Sequence, residues 1–221
     1  MIIAIDGTSG SGKGSLSKNL ARKYNLSYLD TGKLYRIIAN NLLMKKVDHR
    51  FLKDEALKIS KETILKNLNQ INLDYLMSEK ISEVSSLIAS YSEVRNKLVD
   101  FQRDFAQNFP SSKLGSILDG RDIGSIILPN ADIKFFLDAS PEIRAKRRTQ
   151  ELKDKGNSVN FYNVLKAINE RDLRDKTRKT APLLRPENSL YIDTSNKNLD
   201  EVARVAYKKI DSFIEKRKKI N

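Results

Sequence analysis

Nine residues near the N-terminus, Gly7-Thr8-Ser9-Gly10-Ser11-Gly12-Lys13-Gly14-Ser15, constrain this chain more than any others. A short apolar run, Ile2-Ile3-Ala4-Ile5, precedes them and reads as a buried strand. An amphipathic segment follows, with Leu16, Leu20, Ala21 and Tyr24 on one helical face. Strand, glycine loop and helix in that order form the context of a phosphate-binding loop, and Gly-x4-Gly-Lys is the Walker A spacing. One change is present: Gly14 stands between Lys13 and the hydroxyl residue Ser15. The glycines let backbone N–H groups turn inward around an anion. The helix behind adds unpaired donors and the positive end of its dipole. Lys13 can reach between β- and γ-phosphates, and the hydroxyl of Ser15, or of a loop serine, can ligate Mg²⁺.

Composition narrows the surroundings of that loop. The 221 residues suffice for one large domain with insertions, and 39% are hydrophobic, enough for a full core. Cysteine is absent, which excludes disulfides, thiol chemistry and cysteine metal sites. The single histidine, His49, lies among charged neighbours and is expected on the surface. No apolar run reaches spanning length, and the opening run stops at Asp6 rather than continuing as a signal peptide. A reducing cytoplasm is the expected location. The net charge of +13 favours anionic partners without choosing among nucleotides, RNA and acidic surfaces.

Along the chain, Ser27–Asp30 reads as a second strand ending in a turn at Thr31-Gly32. A helix then carries Leu34, Ile37, Ile38 and Leu42 on its apolar face. From about Val47 to Asn108 the period is almost wholly helical, with Val94, Leu98, Phe101 and Phe105 as its clearest stripe. Ser116–Asp119 and Ile133–Leu137 read as further strands. Ser140-Pro141-Glu142 starts a helix with a capping hydroxyl, a first-turn proline and an acid at the positive end. Gly156 breaks that helix, another runs from near Asn160 to about Arg178, and Leu190–Asp193 is the fifth strand. The last helix turns Val202, Ala203, Ala206, Ile210, Phe213 and Ile214 inward. Strands separated by helices predict an α/β fold: a five-stranded parallel sheet flanked by helices. Insertions after strand ends then surround the ligand crevice.

Three other groups carry chemistry. Arg36 lies about one helical turn past Gly32 and can point back over the same mouth; an ordinary solvated arginine is the alternative. Asp119 ends an apolar strand, where a carboxylate can hold Mg²⁺ through water, and Arg121 beside it offers a planar fork suited to phosphate. Arg171, Arg174 and Arg178 share one helical face with Asp175. Three cations against one acid exceed what i,i+4 pairing needs, and a polyanion would relieve their repulsion.

Taken together, these residues resemble the bacterial cytidylate kinases, a family of nucleoside monophosphate kinases. The likeness rests on the Gly-Lys-Gly-Ser loop, Asp30-Thr31-Gly32 with Tyr35-Arg36, and Asp119-Gly120-Arg121-Asp122-Ile123-Gly124. It continues through Phe136-Leu137-Asp138-Ala139-Ser140, Glu170-Arg171-Asp172 to Asp175 and Arg178, and Ala181-Pro182-Leu183. Thr8, Ser15, Thr31 and Lys33 depart from the family's usual residues, and the insertion after the second strand is shorter than in many members, which predicts a reduced small sheet there. The resemblance implies a core (1–36, 109–151 and 186–221), a monophosphate-binding insertion (about 37–108) and a lid (about 152–185). It implies phosphorylation of CMP, and of dCMP, by MgATP.

By position, the resemblance implies that the loop from Gly7 to Ser15 (Gly7, Thr8, Ser9, Gly10, Ser11, Gly12, Lys13, Gly14, Ser15) binds the donor, with Arg147 a nucleotide contact at the base of the lid. Thr31, Arg36, Arg121 and Arg178 fall at substrate and phosphate contacts. Ser86, Arg95 and Asp122 fall at the cytosine readers, and Arg171 and Asp175 at the ribose. Lys13, Arg121, Arg171 and Arg178 are the expected charge stabilisers, and Ser15 and Asp119 (through water) the metal contacts. Cytosine presents acceptors at O2 and N3 and a donor at N4, an edge that an arginine plus a carboxylate complements and that uracil reverses in part. Expected partners are small nucleotides, with no nucleic acid, no membrane and a monomeric chain. An AMP or UMP kinase is the nearest rival. A regulatory GTPase would need an Asp-x-x-Gly switch and an Asn-Lys-x-Asp base reader, and neither occurs. A nucleic-acid-binding P-loop protein would show a steep salt dependence.

Overall fold

Period-two alternation in the strand runs sorts their side chains onto two faces. Ile3, Ile5, Ile117, Ile133, Phe135 and Leu137 point to one side, and Ala4, Leu29 and Leu118 to the other. The computed structural model describes residues 1–65, 76 and 78–219. Its strands are β1 (Ile2–Gly7), β2 (Ser27–Asp30), β3 (Ser116–Gly120), β4 (Ile133–Asp138) and β5 (Leu190–Asp193). They form one parallel sheet in the order β2-β3-β1-β4-β5, with Ile5 level with Asp119 and Phe135. The strand order reverses beside β1, so the loops after β1 and β3 open at the same crevice.

Helices α1 (Lys13–Lys23) and α8 (Leu199–Lys218) cover the first face through Leu16, Leu20, Val202, Ala203, Ala206 and Ile210. The second face packs on Ala106 of α5 (Ser92–Gln107) and on Ile123, Ile127 and Leu128. A separate apolar core joins α2 (Thr31–Met44), α3 (Leu52–Leu65), α4 (Glu79–Ile88) and α5 through Leu34, Ile38, Leu42, Ile59, Leu76, Ile88, Val94 and Leu98. A smaller one joins α6 (Pro141–Asp154) to α7 (Phe161–Thr177) through Ala145, Leu152, Val164 and Ile168. Each large side chain withdrawn from water in these clusters contributes about 1.5–3 kcal/mol. Helix starts follow the sequence signals: Ser140 accepts from Ile143 N–H, Asn160 from Tyr162 N–H, and Asn198 with Glu201 forms a capping box. His49 is exposed, as expected. Among the described residues, no helix is long and apolar enough to cross a membrane.

Two local readings are corrected, and one element is new. Thr31-Gly32 is not a turn but the first residues of α2, because the Asp30 carboxylate caps Lys33 N–H at 3.1 Å and starts the helix directly. On α5 the inward face is rotated from the apolar stripe. Val94 and Leu98 are buried, Phe101 and Phe105 only partly, while Arg95, Gln102 and Ala106 lie inside. Arg95 turns into the crevice, and Ala106 packs on the sheet, where its carbonyl accepts from Ser116 Oγ at 2.6 Å. After β3 comes a widened helical turn, Ile123–Ile127, whose N–H groups reach back five residues: Ile127 to Asp122 and Leu128 to Ile123. Apolar periodicity carries no signal for it. Within 37–108 the described residues form helices; the remainder of the region, where a reduced sheet is expected, lies outside the described residues.

Candidate active site

The loop after β1 is built by glycines in the left-handed region, Gly10 at φ 77° and Gly12 at φ 89°. Gly7 answers a different demand. A Cβ there would lie 1.9 Å from the Leu137 carbonyl oxygen, because β4 runs against it. Gly12 precedes α1 with no side chain capping the helix, so the first N–H groups of α1 are left for an anion. Lys13 is buried and donates to the Thr8 carbonyl at 2.7 Å. Burial, and then the cations Arg121 and Arg171, hold its ammonium well below the ordinary lysine range. A bound polyphosphate would reverse that pressure.

A cleft of about 400 Å³ opens from this loop. Ser9, Gly10, Gly12, Lys13, Gly14 and Ser15 line one side of it. Gly7, Thr8 and Ser11 instead face the protein: Thr8 Oγ1 donates to Asp138 at 2.6 Å and Ser11 Oγ to the Thr8 carbonyl at 2.9 Å. Thr31, Arg36, Ser86, Arg95, Asp119, Arg121, Asp122, Arg171, Asp175 and Arg178 line the rest. Thr31 uses its hydroxyl on the Asp119 carbonyl at 2.7 Å, and Arg36 approaches Asp30 at 3.6 Å. Arg147 stands apart from this cleft. Its guanidinium donates to Thr194 Oγ1 at 3.0 Å and to the Thr194 carbonyl at 2.6 Å, beside the loop after β5.

At the far end, Arg95 from α5 and Asp122 from the loop after β3 form a hydrogen-bonded ion pair, each only 5% exposed. Arg95 also donates to the Ala89 carbonyl at 3.1 Å and lies 5.8 Å from the Tyr35 ring. Asp175 sits among guanidiniums: Arg121 Nε at 3.0 Å, Arg171 Nε at 3.7 Å and Arg178 Nη1 at 3.8 Å. Burial opposes ionisation of Asp175, but these three arginines hold its carboxyl below the usual range. Arg171 is brought down to about 9 by burial and the neighbouring Arg121. Arg171 Nε and Arg178 Nη2 are buried without a hydrogen-bond partner in the protein. Cations crowded this way with idle donors suit an anionic ligand.

Asp119 Oδ2 accepts from the Tyr28 hydroxyl at 2.8 Å, close to Gly14. Burial, then the adjacent Asp30, pushes the Asp119 carboxyl up to about 6. A divalent cation nearby would favour its ionised form. Among the described residues no group of three or more metal-ligating side chains converges. Ser15 is exposed at the loop's outer edge.

Two residues of consequence were not singled out from the sequence. Ser82 lies one turn before Ser86 on α4, and its Oγ accepts from Arg171 Nη1 at 2.6 Å, while Ser86 approaches Asp175 at 3.4 Å. Two rungs, four residues apart on both helices, thus tie α4 to α7. Spacing alone could have suggested Ser82 once Ser86 was chosen. Arg144, 2% exposed, donates to the Ser9 carbonyl at 3.1 Å, the Ala139 carbonyl at 2.8 Å and Asp172 at 2.6 Å. It pins the glycine loop to α7, and in sequence it is one cation among many on a basic helix.

Comparison with known proteins follows the same lines. The cytidylate kinase family model matches residues 3–212. A cytidylate kinase of Bartonella tribocorum is 42% identical over 96% of this chain and 95% of its own length. One of Clostridium tetani is 38% identical over 99% and 97%. Among solved structures, an uncharacterized protein from Eubacterium ventriosum has the same fold, with TM-score 0.54 at 16% identity, covering 96% of this chain and 99% of that one.

Proposed function

The chain belongs to the cytidylate kinase family and is a phosphotransferase, and from that premise we propose that it transfers the γ-phosphoryl group of MgATP to CMP, and to dCMP, giving ADP and the diphosphate. The observation that carries this is the buried Arg95–Asp122 pair, set across a cleft from the glycine loop and joined to it by a lining of arginines. On this reading Arg95 donates to cytosine O2 and N3, and Asp122 accepts from N4. Ser86 stands beside them at the base, and Arg171 and Asp175 contact the ribose. Arg36, Arg121 and Arg178 hold the acceptor phosphate, and Thr31 shapes its wall. The loop from Gly7 to Ser15 cradles the donor phosphates, and Arg147 contacts the donor nucleotide.

No side-chain nucleophile is required. An oxygen of the CMP phosphate attacks the γ-phosphorus, and the bond to the β-bridging oxygen breaks, releasing ADP. Lys13, Arg121, Arg171 and Arg178 spread the charge that develops between them. Mg²⁺, when bound near Ser15 and through water near Asp119, supplies further neutralisation of the phosphates. Closing of the lid, about 152–185, against the insertion, about 37–108, excludes water that would otherwise hydrolyse ATP. The core is 1–36, 109–151 and 186–221. The chain acts as a monomer on free nucleotides in the cytoplasm.

The test is ADP release from ATP with CMP, dCMP, UMP and AMP compared in turn. CMP and dCMP are expected to give kcat/KM well above UMP and AMP. Equal turnover with UMP or AMP would refute the base assignment.

A further inference from the structure

Asp6 is a fully buried carboxylate at the C-terminal end of β1, one residue before the glycine loop, and the chemistry above makes no use of it. Its two oxygens accept one backbone N–H each, Ile123 on Oδ1 and Gly124 on Oδ2, both at 2.7 Å. Those amides immediately follow Arg121 and Asp122. The segment they anchor is the widened turn Ile123–Ile127, whose helical register differs from an ordinary α-helix and does not fix itself through a longer ladder. Close packing confirms the grip: a Cβ added at Gly124 would lie 3.3 Å from Asp6 Oδ2 and 3.2 Å from both Pro186 and Lys134 side-chain atoms.

We propose that Asp6 is a positioning residue that sets the specificity of the acceptor site, holding the Arg121-Asp122 segment in register with the glycine loop through its two-pronged acceptance from Ile123 and Gly124. A residue of β1 thereby aims a residue of the β3 loop. The bidentate form matters, because a carboxylate supplies two acceptors and a carboxamide only one. With one N–H left unsatisfied or turned away, the backbone beside Asp122 shifts, and the carboxylate no longer meets its partner squarely. A base site that depends on hydrogen bonds loses discrimination steeply with such a shift.

This inference rests on the reading of Asp122 as the cytosine contact. The experiment therefore runs Asp6→Asn beside Asp122→Asn, measuring kcat/KM for CMP and UMP, and the affinity for a fluorescent ATP analogue. For Asp6→Asn the CMP-to-UMP preference is expected to fall by about tenfold or more, while affinity for the ATP analogue changes less than about threefold. If Asp122→Asn lowers the preference and Asp6→Asn leaves it at the wild-type value, or lowers both substrates equally, the positioning role is wrong. If Asp122→Asn itself leaves the preference unchanged, the underlying base assignment fails instead. Should Asp6→Asn not fold, Gly124→Ala presses on the same contact from the other side and is expected to lower the preference too. Hydrogen exchange of the wild-type protein gives a test that needs no variant. The Ile123 and Gly124 amides should exchange as slowly as the core strands, and exchange at loop rates would overturn the proposal.

Discussion

Changing Asp122 to asparagine keeps the shape of the side chain and removes its charge. In the structure Asp122 faces Arg95 with both groups 5% exposed, so the substitution leaves a buried guanidinium without its counter-ion, held by the Ala89 carbonyl at 3.1 Å and a neutral amide. Removing one partner of a buried pair costs about 3–5 kcal/mol. Asparagine retains a carbonyl that can still accept, so the lower end applies. That cost of about 3 kcal/mol falls on folding and is shared by both substrates. For CMP the charge-assisted bond from N4 is lost and buried polar groups are left poorly paired, and kcat/KM should fall by about 10²–10³-fold. For UMP the outcome differs, because the amide can turn its NH₂ toward uracil O4. Its kcat/KM should fall by less than about tenfold. The assay is coupled ADP release with both substrates in both proteins, with equilibrium unfolding alongside. A fall by the same factor for CMP and UMP would refute the reasoning and make Asp122 a support for the fold rather than the reader of the base.

Four further outcomes follow from the same geometry. Lys13→Ala should reduce transfer by on the order of 10²-fold or more while the protein still unfolds cooperatively, since the buried ammonium is itself disfavoured; near-normal turnover with CMP would contradict it. Hydrogen exchange across 152–185 should slow when ATP and CMP bind together, and unchanged protection would indicate a static surface helix. Ser82→Ala should raise KM for CMP several-fold with little change in kcat, because it frees Arg171 to turn, and Ser82→Thr should restore it; an unaltered KM would remove Ser82 from the site. Burial pushes the Asp6 carboxyl up to about 7, against two N–H donors that favour its ionised form. Because the folded value lies above the unfolded 3.8, its contribution to stability is complete below about pH 4 and is lost as pH rises through 7. The stability of the wild type relative to Asp6→Asn should thus decline over that window, and a difference that grows with pH would contradict the shift.

Much of this was legible because strands, caps and the glycine loop are local. β1 to β5 fall where short apolar runs predict them, and Ser140 and Asn160 begin their helices by side-chain chemistry written within three residues. What escaped depends on contacts distant in sequence. Arg95 falls outside the apolar stripe Val94, Leu98, Phe101 and Phe105, so periodicity alone leaves it out of the core. It is buried because Asp122, 27 residues on, neutralises it, and no periodicity reports such a partner. The wide turn after Asp122 exists because Asp6, 117 residues earlier, accepts from Ile123. Arg144 and Ser82 became visible only when α6 and α4 were brought against the loop and α7. Arg147 shows the reverse case. Its neighbours Thr194 and Lys197 belong to a loop whose nearness to α6 comes from β4 pairing with β5.

The separate apolar cores of the insertion, the sheet and the α6–α7 pair have a consequence for heat. Each has its own apolar packing, but the proposed acceptor site lies where the three meet, and across those joints the contacts at the site are polar: Arg95 to Asp122, Ser82 to Arg171, Ser86 to Asp175. A gap of about an ångström forfeits roughly a quarter to a half of an apolar contact, whereas a hydrogen bond is lost outright over the same distance. Warming loosens joints before it melts cores. Recognition of the acceptor base should therefore fade at temperatures where every helix and strand is still intact, and the working limit of this enzyme is set by the fit between its parts rather than by the melting of any one of them.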